Sequence, residues 1–588
     1  MIVRMKRMTV LCTEARRDVT LDALRDLGVL HLSHIRAPGG ETVEKARAHQ
    51  QYVARVLEVL PKKAAVRPSG RPAAEIVENI WDLIHRRQAL TEALAALKYE
   101  RDRIAPFGSF DPESVARLAR SGIQVRLYQA GPKQAVEAPE GAVLHLLRSD
   151  NTGRYFAVIS RAPVDVAARE VRLPVLSLDD LQREMDDTAA ALADCGTQFE
   201  AYAGDHAAVA AIVAEADDAL RYAEARAGMG ASAPVSYLRG YCPADAVARI
   251  RHAAAQGGWG LIVEDPEPGE VVPTLIRNPR WLRPIETIYE AFGILPGYEE
   301  VDVSAVFLVF LSVFFAMIVG DAGYGAVFLG LTLWARKKFP NGPARAFSFM
   351  KIMSVCTIIW GVMTGSYFFI PVLPTVFTRM KVAWLSDEDH VKHLAFLLGA
   401  IHLTIAHAWS AARMLNSPKA IAQAGWIAVT WTMFFAAGTM VLGRPFPGWV
   451  GPVGAAGVLA VVLFMTPIRD FKNEWFNHVL LPLTIVSNFI DIVSYIRLYA
   501  VGVAGAAIAT SFASMALSGV DSLGSGLVAA AILFAAHALN IVLSALGVLV
   551  HGVRLNVLEF TNHIGMQWSG SAYQPFARRP RANAAGSG

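Results

Sequence analysis

Cysteine is scarce in this sequence of 588 residues, and no two cysteines stand at metal-ligand spacing. The four cysteines, Cys12, Cys195, Cys242 and Cys356, are scattered without a CxxC pair. This spacing predicts neither a disulfide framework nor a zinc site. It is compatible with a reducing, cytoplasmic setting for the first half of the chain.

Several catalytic motifs are also missing from the sequence. It contains no GxxxxGK[ST] loop, no glycine-rich dinucleotide signature and no HExxH. We therefore expect no ATP-hydrolysing site, no metal and no cofactor in this chain. The net charge of +4 is small for this length and gives no reason to expect nucleic-acid binding. The N-terminal segment lacks the apolar core and cleavage site of a signal peptide.

Long apolar runs are absent before about residue 300 and dominate from there to about residue 570. A membrane helix needs about 20 apolar residues. We therefore expect the first half to lie in water and the second half to lie in the lipid bilayer. We predict an α-helical membrane protein preceded by a cytoplasmic arm of α/β lobes and coiled coil. The arm would span 1–300, the transmembrane domain 301–570 and a cytoplasmic tail 571–588.

The arm contains two kinds of pattern. Two segments predict a strand that is followed by a helix and a second strand: "VRMKRMTVLCT" and "VSYLRGYC". The strands of a further lobe are predicted at "SGIQVRLYQAG", "GAVLHLLRS" and "RYFAVISRA". Apolar residues at heptad spacing predict two long helices, about 41–104 and 177–228, packed as a coiled-coil hairpin. The alternative is a pair of ordinary amphipathic helices in a globular core.

The second half predicts eight membrane spans. They lie at about 303–320, 322–337, 348–370, 393–413, 421–442, 450–467, 477–517 and 525–566. Basic residues are concentrated after the even-numbered spans, which places both termini in the cytoplasm. The last two spans are too long for a hydrocarbon core of about 30 Å, so we expect them to break or to tilt strongly.

Ionised residues are rare in these two long spans. Between Trp475 and Ala577, four of them lie within the apolar stretches: Asp491, Arg497, Arg554 and Glu559. A charge in the membrane indicates function by default. The alternative is an ion pair within each helix, but offsets of six and five residues are poor for such pairs. We therefore expect each arginine to face a carboxylate that belongs to another chain.

Polar residues near the arginines are candidates for lining an ion path. On the first helix these are Asp491, Ser494 and Tyr495, and on the second they are Ser544, His551 and Glu559. Ser487, Asn488, His537 and Asn540 share this polar character. For any one of these residues, hydrogen bonding between helices is the alternative role.

The order of several segments resembles subunit a, also called subunit I, of the V/A-type rotary ATPases. The N-terminal "MIVRMKRMTVLCTEARRDVTLDALRDLGVLHL" and the membrane entry "GYEEVDVSAVFLVFLSVFFAMIVGDAGYG" are similar to the family's. "SNFIDIVSYIRLYAVGVAGAAIA" is similar to the segment that carries its first essential arginine. "VLVHGVRLNVLEF", followed by "WSGSAYQPF", is similar to the segment that carries the second.

This resemblance implies a non-catalytic stator subunit that forms H⁺ or Na⁺ half-channels against a rotating c-ring. Arg497 would face the ring carboxylate and Arg554 would assist it. The implied partners are c-ring proteolipid subunits, peripheral-stalk E/G-type subunits, a central-stalk-associated d/C-type subunit and, indirectly, catalytic A/B subunits. The implied location is the lipid bilayer of a prokaryotic cell membrane.

The sequence departs from the family pattern at two positions. Eukaryotic members have a histidine where this chain has Gly505 and a glutamate where it has Ser544. Their half-channel residues are therefore not transferred to this chain. Two other functions remain open: a secondary transporter that binds anionic substrates with the two arginines, and a membrane anchor whose coiled-coil arm organises a complex.

Overall fold

The computed structural model describes residues 1–61, 68–232, 234–370, 374, 377, 379–467, 471–518 and 520–578. Residues 579–588 of the predicted tail lie outside this range. By their internal packing the described residues divide into two compact units. The first comprises Met1–Met8, Tyr241–Ala248 and Val263–Pro575, and the second comprises Thr9–Gly240, Arg249–Ile262 and the described residues from Phe576 onward.

The strands form two sheets. They are β1 (Met5–Thr13), β2 (His31–Ser33), β3 (Gln124–Ala130), β4 (Ala142–Asp150), β5 (Gly153–Ser160), β6 (Arg169–Val171), β7 (Gly230–Ser232), β8 (Val235–Pro243) and β9 (Gly260–Glu264). One sheet has the order β4-β5-β3-β6, and its three longer strands were predicted. The other has the order β2-β8-β1-β9, with β7 paired to β8. The two predicted α/β segments thus share one sheet, since a two-stranded sheet alone is marginally stable.

The helices before the apolar region pack in two pairs. They are α1 (Arg17–Leu27), α2 (Glu41–Val59), α3 (Ala73–Ile104), α4 (Pro112–Arg120), α5 (Leu178–Ala201), α6 (His206–Ala227), α7 (Val247–Gly257) and α8 (Glu286–Phe292). Helix α2 packs against α6, and α3 packs against α5. Val53, Ile80, Phe199 and Val209 are buried in their shared core. Both helix pairs thus contribute apolar residues to one buried core.

The prediction of two uninterrupted long helices is wrong. Pro61 follows α2 and Pro72 precedes α3, and a proline inside a helix removes a hydrogen bond and clashes with the preceding turn. A 3₁₀ turn separates α5 from α6. There the buried carboxylate of Asp205 accepts a hydrogen bond of 2.8 Å from the backbone N–H of Ser69.

A helix occurs at each of the eight predicted spans. They are α9 (Ser304–Val319), α10 (Ala322–Lys338), α11 (Ala344–Thr364), α12 (Glu388–Arg413), α13 (Lys419–Leu442), α14 (Val450–Phe464), the pair α15 (Phe471–Ser494) and α16 (Ile496–Leu517), and α17 (Leu523–Gly547) with its continuation to Ile564. Within the described ranges, five helices are individually long and apolar enough to cross a membrane, or six if α9 and α10 count as one span. Helix α14, with 15 residues, is shorter than this length.

The two last apolar helices are long, as predicted. Glu474–Leu517 has 44 residues and Leu523–Ile564 has 42. At 1.5 Å per residue each is about 65 Å long, twice the thickness of a hydrocarbon core. The first of these two does not break at Pro482, Gly502 or Gly505. It is interrupted only at one non-helical residue, Tyr495, which separates α15 from α16.

The glycine-rich segment "VGDAGYG" forms a tight turn. Helices α9 and α10 meet there at 119°. Gly320 ends α9 with φ of +71°, a conformation that suits glycine. The fully buried Asp321 accepts hydrogen bonds from the Tyr324 backbone N–H at 3.0 Å, the Ser366 hydroxyl at 2.7 Å and the Phe369 backbone N–H at 3.0 Å.

Gly361 on α11 packs directly against the backbone of this turn. A Cβ atom at this position would lie 2.0 Å from the Ala322 backbone nitrogen and 2.6 Å from its Cα. Gly361→Ala should therefore destabilise the protein by about 1–3 kcal/mol, because the backbone of the turn would have to move. The measurement is thermal unfolding of the full chain in detergent. Gly330→Ala is the matched control, since no atom lies within 4 Å of its added Cβ.

Candidate functional site: two arginines around a buried glutamate

Arg497 stands in the first turn of α16, directly after the break at Tyr495. The Tyr495 ring is fully buried, and its hydroxyl hydrogen-bonds His402 Nδ1 on α12 at 2.9 Å. An added Cβ on Gly399 of α12 would approach this ring to 2.7 Å, so the two helices are in close contact here. Packing around Tyr495 therefore fixes the position of the break. The break in turn fixes the start of α16 and so the position of Arg497 in its first turn.

The carboxylate of Glu559 lies between the two predicted arginines. Its Oε1 atom is 3.3 Å from Arg497 Nη1 and 3.5 Å from Arg554 Nε. The Glu559 side chain is 4% exposed, whereas Arg497 is 27% and Arg554 is 52% exposed. Two guanidinium groups share one carboxylate, so the cluster carries one net positive charge. We call these three residues the arginine centre.

The expectation that no carboxylate of this chain would face the arginines is wrong. The reason is helical geometry: Val548–Gly552 and Leu555–Phe560, which follow α17, are π-helical, and α-helix returns at Thr561–Ile564. In a π-helix each backbone hydrogen bond joins residues five positions apart, so Arg554 and Glu559 lie on nearly the same side. The offset that is poor in an α-helix is therefore suitable here.

One oxygen of Glu559 is left without a partner. Its Oε2 atom is buried and accepts no hydrogen bond from any described residue. The Ser494 hydroxyl is 3.5 Å from Oε1, but it donates to the Asp491 carbonyl oxygen at 2.6 Å. A buried carboxylate oxygen in this state needs a water molecule, a proton or another donor.

Asp491 belongs to a second group of hydrogen bonds. Its Oδ2 atom is 3.0 Å from His563 Nε2, and His563 Nδ1 is 3.0 Å from His407 Nε2. His407 Nδ1 is in turn 2.8 Å from Gln423 Oε1 on α13. We call these four residues the histidine chain. His407 and Gln423 lie outside the last two long helices, to which the sequence-based search for an ion path was confined, and His563 was missed within them.

The other predicted path residues lie in different surroundings. Ser544 is buried on α17 and His551 is half-buried on the first π-helical segment. The Asn540 amide donates to the Gly505 carbonyl at 2.9 Å and to the Tyr324 hydroxyl at 3.0 Å. A Cβ on Gly505 would lie 3.0 Å from Asn540 Oδ1, so glycine admits this amide. Gly505 thus contacts an amide where the family resemblance led us to look for a histidine.

The described residues contain no group of three or more His, Cys, Asp or Glu placed to hold a metal ion. The features that distinguish the site are the ion pairs of the arginine centre and the hydrogen bonds of the histidine chain. Long apolar helices and buried ionised residues define an α-helical membrane protein with a polar centre.

The comparisons with known proteins identify its family. No family model matches the sequence. The chain is 30% identical to V-type ATP synthase subunit I 1 of Treponema pallidum, over 98% of this chain and 100% of that protein. It is 28% identical to V-type ATP synthase subunit I of Borreliella burgdorferi, with the same coverage. The chain belongs to the family of V-type ATP synthase subunit I, and it is a subunit of a rotary ATPase whose other subunits are its partners.

Solved structures also align with part of the chain. The crystal structure of the cytoplasmic N-terminal domain of subunit I, homolog of subunit a, of V-ATPase aligns with 44% of this chain and 99% of its own. Its sequence identity is 17% and its TM-score is 0.21.

Proposed function

We propose that this chain is the stator subunit that conducts ions against the rotating c-ring of a V/A-type ATPase. The observation that carries the proposal is the arginine centre, with one net positive charge among apolar helices. An intramembrane charge that its own chain does not balance needs a partner. A carboxylate on a ring subunit is a partner of suitable charge and chemistry.

The centre would make that carboxylate release its ion. A positive charge nearby lowers the pKa of a carboxyl group by about one to three units. A ring carboxylate that arrives from lipid in its neutral form would therefore ionise beside Arg497. Arginine suits this role better than lysine, because a guanidinium keeps its proton in apolar surroundings.

The surface beside Arg497 permits close approach. Ala500, Ala504 and Ala507 follow it on α16 at helical spacing, and all three are exposed. Small residues let two membrane helices come near each other. A ring helix on this face would bring its carboxylate to Arg497, with Arg554 assisting from the neighbouring helix.

The remaining assignments follow the family. The N-terminal region of about 300 residues would be the cytoplasmic stator arm that holds the peripheral-stalk E/G-type subunits, near a d/C-type subunit. The apolar region from about 301 to 570 would conduct H⁺ or Na⁺, driven by the catalytic A/B subunits. Both termini and the tail from 571 would be cytoplasmic, in a prokaryotic cell membrane.

Photo-crosslinking from the exposed face of α16 tests the ring contact. A photoreactive residue at Ala504 should capture a small ring subunit in native membranes. The same residue at Leu459, which is 58% exposed on α14, is the matched control and should not. Capture from both positions, or from neither, would contradict the proposed face.

A further inference from the structure

The histidine chain connects four helices through one line of hydrogen bonds. It runs from Gln423 on α13 through His407 on α12 to His563, and it ends at Asp491 on α15. His407 is 5% exposed and the His563 side chain is 11% exposed. We propose that the histidine chain is a proton relay that serves the arginine centre, and that the ion moved by the protein is H⁺. This inference rests on the proposed function.

The direction of each hydrogen bond follows from the groups involved. An amide oxygen only accepts, so His407 Nδ1 carries a hydrogen and donates to Gln423 Oε1. In a neutral imidazole the other nitrogen then accepts, so His407 Nε2 receives a hydrogen from His563 Nδ1. The remaining His563 Nε2 and Asp491 Oδ2 must hold one proton between them. The histidine chain therefore carries one labile proton, which His563 Nε2 and Asp491 Oδ2 share.

Reversal of these bonds moves one proton along the chain. The Asp491 proton passes to His563 Nε2, the His563 Nδ1 proton passes to His407 Nε2, and the His407 Nδ1 proton passes to a water molecule beside Gln423. One proton has left, Asp491 is ionised and both imidazoles remain neutral. The Gln423 amide then turns its NH₂ group toward His407, and the same transfers in reverse protonate Asp491 again.

The Asp491 end of the histidine chain lies beside the arginine centre. The Ser494 hydroxyl contacts the backbone carbonyl of Asp491 at 2.6 Å and stands 3.5 Å from Glu559 Oε1. The buried and unpartnered Glu559 Oε2 is an independent sign that a hydrogen-bond donor such as a water molecule belongs at this point. His563 follows Glu559 by four residues, one turn later on the same helix.

The chemistry of the chain favours H⁺ over Na⁺. Hard cations are bound by several oxygen atoms, from carboxylates, carbonyls and water. Four of the six bonding atoms in the histidine chain are imidazole nitrogens, and each of them already has a hydrogen-bond partner. Protons can pass through such a line by exchange of hydrogen bonds, whereas a sodium ion would have to break it.

The test uses the whole ATPase complex in liposomes, with a pH-sensitive dye and radioactive Na⁺ as probes. Wild-type complex should take up H⁺ on addition of ATP in sodium-free buffer, without Na⁺ uptake when Na⁺ is present. His563→Gly and Asp491→Asn should each slow H⁺ uptake by about 100-fold, the range of a lost proton-transfer group. Added imidazole should restore part of the uptake in His563→Gly, which a purely structural role would not allow.

His478→Gln is the matched control, since that histidine contacts a backbone carbonyl of Val462 and lies outside both polar groups. ATP-driven Na⁺ uptake without H⁺ uptake would overturn the inference. Wild-type H⁺ uptake in either variant, or lack of rescue by imidazole in an assembled complex, would also overturn it. Arg497→Ala is measured beside them: if that variant still transports, the proposed function fails, and if it alone stops transport, only the relay fails.

Discussion

Replacement of Arg497 by alanine is expected to lower ATP-driven ion uptake by about 100-fold in an assembled complex. The arginine centre then holds Arg554 and Glu559, and its net charge falls from +1 to zero. A loss of about two pKa units in the effect on a ring carboxylate corresponds to this factor. The measurement is dye-monitored uptake in liposomes, normalised to the amount of intact complex.

The double variant Arg497→Ala/Glu559→Gln separates charge from shape. It removes one positive and one negative charge, so the net charge of +1 returns on Arg554 alone. We expect it to recover part of the uptake that Arg497→Ala loses. If the double variant is as inactive as the single one, net charge is not the controlling quantity, and the position of the Arg497 guanidinium is.

Replacement of Glu559 by leucine should give the largest loss of stability. It leaves two guanidinium groups beside a buried apolar side chain, and removal of one partner from a buried ion pair costs about 3 kcal/mol or more. Both arginines are partly exposed, so part of this cost is recovered through their contact with solvent. Thermal unfolding of the full chain in detergent measures it.

Glu559→Gln is the matched variant for this prediction. Its amide oxygen still accepts from both arginines, so we expect a smaller loss of stability than with leucine. A leucine variant at least as stable as the glutamine variant would show that the ion pairs contribute no net stability.

Much of the architecture follows from local patterns in the sequence. The apolar segments predicted eight regions of the second half, and each contains helix among the described residues, because an apolar run in lipid has few alternatives to a helix. Helices occur within both stretches of heptad spacing, and their apolar residues Ile80, Phe199 and Val209 are buried. The interruption around Asp205 was missed because the apolar spacing continues across it, and the predicted bounds of 41–104 ran past Pro61.

The polar site was only partly predictable. Arg497 and Arg554 stand out in any hydropathy profile, but their contact with Glu559 depends on a helix type that spacing does not reveal. The bond between His407 and His563 joins residues 156 positions apart, and that between His563 and Asp491 joins residues 72 apart. Such contacts are set by how helices cross, which no local pattern contains.

The two π-helical segments restrict how the length of this helix can vary. Each wide turn holds one more residue than an α-helical turn, so the segment behaves like an α-helix with an insertion. Deletion of one residue between Arg554 and Glu559 would leave them four positions apart, and an ordinary α-helix would then keep them on one face. All residues beyond the deletion, including His563, would be shifted by one position toward Arg554. Among relatives, a one-residue gap at this place would therefore preserve the ion pair rather than abolish it.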